Sequence, residues 1–305
     1  MRILINSEPL DYQLEDETRL GEVVDELEQW LRSGQFAIVA LNVNDSTYPI
    51  HARDAWKDIP VDEVAAMDVE ALPLARVDET TLAALAEYLG MLSDALNPAV
   101  DALRSADAVR ELAAELPHVR RRIGGFFPAL VDENGETAVL RDASLDAGVA
   151  PGGDACVVLR KEIDDLLELL SSRAREYTHP ARELAITLGR LSSIAAQAVE
   201  VPLQMHGGNE GQAMQTLITL TELFGRVLRI VPILEREPTD ERDPTGEIDV
   251  EAVKRFASEL SPQLVELKEA LEIRDTVLVG DLLEYEIAPK LERLAEIIPD
   301  IQETS

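Results

Sequence analysis

The sequence predicts two architectures in one chain: an α+β domain at the N-terminus and a mainly α, antiparallel helical-bundle region behind it. Three observations predict this. The first 72 residues alternate short β-rich runs with one amphipathic segment. From residue 161 to residue 298 apolar residues recur at helical spacing. The connections between those later segments are short, and short connections make neighbouring helices antiparallel. A length of 305 residues fits about two domains.

In the first 72 residues, Ile3, Leu4 and Ile5 form a β-rich run that leads into a turn at Ser7-Glu8-Pro9. Tyr12 and Leu14 alternate with polar residues as the second arm of a hairpin. Thr18 is the expected N-cap of a helix whose apolar face is Leu20, Val23, Val24, Leu27, Trp30 and Leu31. Ser33-Gly34 ends it. Phe36–Val43 is the strongest strand, before a turn at Asn44-Asp45. Tyr48-Pro49-Ile50 and Val61–Leu72 offer two more, with Trp56 between them as a core plug. This order, with TRLGEVVDELEQWL followed by FAIVALNVND, resembles the β-grasp fold of ubiquitin-like and sulfur-carrier proteins. The resemblance implies a compact docking module over residues 1–72. Sulfur carriers end in a free Gly-Gly, whereas this unit runs on through Leu72-Pro73-Leu74, so the carrier chemistry is not implied.

Residues 73–79 read as a linker and 80–116 as a helical hairpin. Its first arm carries Leu82, Leu85, Leu89, Leu92 and Leu96; its second, Ala99–Leu116, stops at Pro117. Residues 117–160 read as an irregular, β-containing insertion, with a hairpin signal at Asn134-Gly135. The bundle then spans 161–298, broken near Thr178-His179-Pro180, and a tail covers 299–305. In its last helix Leu278, Leu282, Tyr285 and Pro289 are expected inward, with a kink at Pro289.

Lys and Arg number 28 against 59 Asp and Glu, a net charge of −31. Such a surface repels nucleic-acid phosphate and anionic headgroups, which excludes nucleic acid as a direct partner. No apolar run approaches the roughly 18–20 residues of a membrane span, so no membrane insertion is expected. The N-terminus lacks a basic region and apolar core, and Cys156 is the single cysteine; both point to a cytoplasmic protein. The acids are spread along the whole chain, which solubility explains. The functional alternative is an acidic face that steers a basic partner.

Two Glu-x-x-His pairs, Glu115/His118 and Glu176/His179, have the spacing that places a carboxylate and an imidazole on one helix face in di-iron bundles. Pro117 lies inside the first pair and Pro180 follows the second, which sets both at helix ends. They read as exposed ends, and no metal or cofactor is assigned. The loop from Glu241 to Ala252 resembles an EF-hand, but Ala252 stands where a bidentate Glu is needed. It reads as a connector ending in an Asp249 cap. Cys156 reads as a buried thiol and His51 as a surface residue. Arg120, Arg121 and Arg122 form the one strong basic cluster, an internal ion-pair anchor or a contact for a phosphate or an acidic partner. The last helix carries Asp281, Glu284 and Glu286 beside Tyr285, and Glu284 and Glu286 are expected to flank its seam in solvent.

The segments Met205–Leu234 and Leu264–Leu294, with the motif from Asp275 to Glu286 followed by Pro289, resemble a family of bacterial helical proteins without assigned biochemistry. The resemblance implies spirochaete-like bacteria, motility gene neighbourhoods and no catalytic residues. The expectation is a non-enzymatic adaptor or scaffold that binds another protein, with a basic surface favoured, or itself. Its candidate contacts are Asp281, Glu284, Glu286 and Arg120–Arg122. The alternative is a di-iron-like bundle enzyme built on the two Glu-x-x-His pairs.

Overall fold

The computed structural model describes residues 1–12, 16–44, 46–97, 111–112, 114–132, 137, 139–140, 154–235 and 248–294. It divides into two compact units, Met1–Leu170 and Ser171–Ser305.

The first unit opens with a mixed five-stranded sheet. Strands β1 (Arg2–Ile5), β2 (Glu8–Pro9), β3 (Phe36–Val43), β4 (Ser46–Pro49) and β5 (Ala66–Pro73) lie in the order β2-β1-β5-β3-β4. β1 and β5 run parallel at the centre; the other pairs are antiparallel. In β5, Met67, Val69 and Ala71 alternate inward with the two-residue period of a strand. In β3 both Ile38 and Leu41 are buried, which strict alternation forbids. A register shift between Ile38 and Ala40 explains it, since one extra residue flips the faces.

Helix α1 (Leu20–Ser33) covers the sheet with Leu20, Val23, Val24, Leu27 and Leu31. Its cap differs from the expected Thr18 hydroxyl. The Glu22 carboxylate turns back and accepts from the Thr18 and Arg19 amides at 2.7 and 3.1 Å. Gly21 permits a close approach: a Cβ there would lie 3.0 Å from the Lys57 carbonyl. Trp56 is the expected core plug at 1% exposure. Trp30 departs from the expected apolar face and is 57% exposed.

The expected linker at 73–79 does not form. Pro73 ends β5 and helix α2 (Leu74–Ala95) starts on the next residue, burying Leu82, Leu85, Leu89 and Leu92. Pro117 sits in the first turn of α3 (Leu116–Phe126), where its missing N–H costs nothing, while most of the expected second arm Ala99–Leu116 lies outside the described residues. That helix corrects the irregular reading of its segment. Val131 and Thr137 form an isolated antiparallel bridge, while Asn134-Gly135 lie outside the described residues. Cys156 falls within helix α4 (Asp154–Thr178), though its side chain is outside what is described. The helical reading from Lys161 thus begins seven residues late.

The second unit is helical. After α4 come α5 (Pro180–Ser193), α6 (Ala195–His206), α7 (Glu210–Leu234) and α8 (Val250–Glu272). The break expected near Thr178-His179-Pro180 is there. The stripe from Leu184 to Ala198 is not one helix: α5 and α6 meet at Ile194 with a 45° bend. Both pack on α7, which packs on α8. Phe224 of α7 meets Phe256 of α8 edge to face, ring centroids 6.5 Å apart. Asp249 caps α8 as expected, accepting from the Ala252 amide at 3.0 Å; most of the EF-hand-like loop lies outside the described residues. Arg274, at φ 57°, reverses the chain into α9 (Thr276–Asp281), capped by Asp275. A π-helical turn, Leu282–Ile287, leads into α10 (Ala288–Arg293). Among the described residues no single helix is long and apolar enough to cross a membrane.

Candidate functional site

The N-terminal domain carries a cleft of about 600 Å³ between the β1–β2 hairpin and the C-terminal end of α1. Ile5, Pro9, Leu10, Trp30, Leu31 and Phe36 supply its apolar lining, and Glu8 is the single formal charge among its lining residues. Its walls are fixed by turns in the left-handed region. Asn6 and Ser7 stand at φ 49° and 68°, and Gln35, between α1 and β3, at 63°. Asn6 holds its turn by donating to the Ala71 carbonyl and accepting from the Ala71 amide, both at 2.9 Å. Ser7 donates from its amide and its hydroxyl to the two Asp68 oxygens, each at 3.0 Å.

Other titratable groups of this domain serve the fold. Arg53 grips Asp25 with two hydrogen bonds at 2.7 and 2.6 Å and holds that carboxyl below its ordinary range. The same guanidinium lies 5.7 Å over the Trp56 ring. The Tyr12 hydroxyl sits between Glu17 and Glu26; burial, then those carboxylates, push its pKa above the ordinary range.

In the helical unit the sequence reading missed a charge cluster. Glu176 and Glu183 are both buried, and two arginines on α7 reach them. Arg229 binds Glu176 bidentately, Nε and Nη2 each 3.1 Å from an oxygen. Arg226 bridges the two acids: Nη2 donates to Glu183 at 2.5 Å, and Nε lies 3.2 Å from Glu176. That second contact is electrostatic, since the Nε–H is not aimed at the oxygen. Arg175 reaches Glu183 at 3.2 Å, and Arg173 lies 3.7 Å from Glu176. Burial lowers the Arg173 pKa, against the pull of Glu176. The cluster ties the last turn of α4 to α5 and α7.

This overturns the reading of Glu176 as an exposed helix end; its carboxylate is occupied by guanidinium groups. Its partner His179 is exposed, as are Glu115 and His118. Among the described residues no group of three or more His, Cys, Asp or Glu is arranged to hold a metal ion. His51 is exposed. Arg121 and Arg122 are exposed and Arg120 is half-buried; among the described residues none of them forms an ion pair.

Glu284 and Glu286 are exposed, as expected, and so is Asp281, but Tyr285 is not inward: it stands in solvent between the two glutamates. Leu282 is buried as expected, and Leu283, Ile287 and Ala288 are buried with it. The second buried pair follows the first at an offset of five positions, one more than the four of a regular helix turn, and the π turn absorbs the extra residue. The Ala288 amide reaches back to the Leu283 carbonyl, and Pro289, which has no N–H, follows at once. The helical unit also exposes large apolar side chains near this element. Leu203 of α6 and Val277 of α9 stand mostly in solvent, where Gly280 of α9 meets Pro202 of α6.

Comparison with known proteins matches two separate parts of the chain. The family model described as the TP0873 N-terminal domain matches residues 1–73, from the start of the chain to the last residue of β5. A second, described as a domain of unknown function (DUF8042), matches residues 188–297, from within α5 through α10. An uncharacterized protein of Treponema pallidum (strain Nichols) is 30% identical over 115 residues, 38% of this chain and 54% of that protein. The chain spans about half the length of the curated relative it matches. No solved structure matches. The chain is similar to bacterial proteins that are themselves uncharacterised.

Proposed function

We propose that the protein is a non-enzymatic adaptor that binds another protein through its N-terminal domain, with the helical unit as a second contact surface. One observation carries the reading: Trp30 lines a preformed apolar cleft and, at 57%, is the most exposed large apolar side chain among the described residues of its domain. Exposed aromatic side chains at a cleft are the usual anchors of protein recognition. The strand order β2-β1-β5-β3-β4, with β1 and β5 parallel and α1 on one face, supports reading the domain as a β-grasp module. Leu203 and Val277 supply a comparable apolar surface on the helical unit, and Asp281, Glu284 and Glu286 lend acidity beside it.

A cytoplasmic setting agrees with the single cysteine. A motility setting rests on the resemblance of the Asp275–Glu286 motif. The test is affinity capture of the tagged full-length chain from its native cell, with cross-linking and mass spectrometry. A reproducible stoichiometric partner is expected. Recovery of none, with turnover of a metabolite by the pure protein, would sink the proposal.

A further inference from the structure

The geometry points to the occupant of the cleft: a short segment of the partner protein that carries a large apolar side chain next to a lysine or arginine. This deepens the adaptor reading and rests on it. A cavity of about 600 Å³ holds one or two large side chains rather than a folded surface. Glu8 is the one formal charge on its lining and pairs with no cation among the described residues. In a chain of net charge −31 it selects a basic neighbour for the apolar anchor.

The way in is by side chains. Strand addition needs a row of free backbone groups on an edge. Here the edge strand β2 is two residues long, Pro9 has no N–H, and the Leu10 amide already donates to the Ile3 carbonyl at 3.0 Å. The other edge, β4, also ends in a proline, Pro49. Beside the cleft the backbone therefore offers no edge for strand addition, and the anchor enters between Trp30 and the hairpin. The hairpin wall is held by Asn6 on Ala71 and Ser7 on Asp68, so little ordering accompanies binding.

Fluorescence anisotropy of labelled ten-residue peptides on the full-length chain tests this. One peptide carries two leucines flanked by lysines, a second replaces the lysines by glutamates, and a third replaces the leucines by serines. The first is expected to bind at least about tenfold more tightly than either other. Trp30→Ala should weaken it by about tenfold or more, and Glu8→Lys should shift the preference to the glutamate peptide. Both residues are exposed, so the variants fold; an unchanged melting temperature checks that. Equal binding by wild type and Trp30→Ala, or no saturable binding below about 1 mM, overturns the inference. Capture from native cells separates the two ideas. A partner held equally by wild type and both variants removes the cleft and leaves the adaptor; a wild-type chain that captures nothing removes the adaptor.

Discussion

Glu176 shows how one side chain constrains the helical unit. Its carboxylate is almost fully enclosed and holds Arg229 bidentately with Arg226 beside it. Burying such charges is costly, and the cost is offset only while the partners stay together. Glu176→Gln leaves guanidinium groups facing a neutral amide and should destabilise the unit by about 3 kcal/mol. Glu115→Gln, on an exposed residue, should leave stability within about 0.5 kcal/mol of wild type. Pulse proteolysis across a urea series measures both. Tyr88 gives a residue-scale prediction in pH. Its hydroxyl donates to the Leu112 carbonyl at 2.6 Å, and burial, with Glu115 nearby, pushes its pKa from 10.0 to about 12. The unfolded chain ionises first, so its contribution is intact below about pH 10 and is lost as pH rises to about 12. Tyr88→Phe should flatten that alkaline loss in a series of calorimetric scans.

At the scale of the element, the last helix is governed by spacing. Leu282-Leu283 and Ile287-Ala288 are buried, and three polar residues lie between them where a regular helix has room for two. Deleting Glu286 together with Pro289→Ala should turn the segment into an uninterrupted helix in the same register, with a melting temperature within a few degrees of wild type. Deleting Leu283 instead removes a core residue and should cost several kcal/mol. This insertion was legible in the letters LLEYEIAP, but a strict 3.6-residue template places Tyr285 inward. Strand β3 and helix α1 were legible because their apolar residues are dense enough to mark the element despite the register shift after Ile38 and the exposed Trp30. Trp30 was not, because it lies one turn from the end of α1 and the sheet beside it has only the two-residue β2. The charge cluster was hidden for another reason. Glu183 beside Leu184 has the composition of a surface while lying in the interior, and Arg226 and Arg229, beside Val227 and Ile230, reach the buried acids from the rim. Only their long-range partners reveal that, and partners three helices apart leave no local pattern.

For the whole molecule, the net charge of −31 opposes compaction through self-repulsion. Most ion pairs that could be screened are exposed and individually weak, such as Arg32–Glu28 and Lys268–Glu272. Repulsion therefore dominates the salt response. Raising NaCl from about 0.01 to about 0.3 M shortens the screening length severalfold and should raise the melting temperature by several degrees in scanning calorimetry. A falling melting temperature would mean that the exposed pairs outweigh the repulsion.

The placement of Trp30 and Trp56 has a consequence for observing the molecule. They are the chain's two tryptophans, and both lie in the N-terminal domain, one in solvent and one enclosed. Indole emission therefore reports on that domain alone, and the long helices behind it are silent. Far-ultraviolet ellipticity reports chiefly on those helices. Followed together through one denaturation, the two signals time the loss of each half separately. Iodide, which reaches Trp30 and not Trp56, divides the emission again into a surface and an interior channel, so that a native chain already carries its own labels.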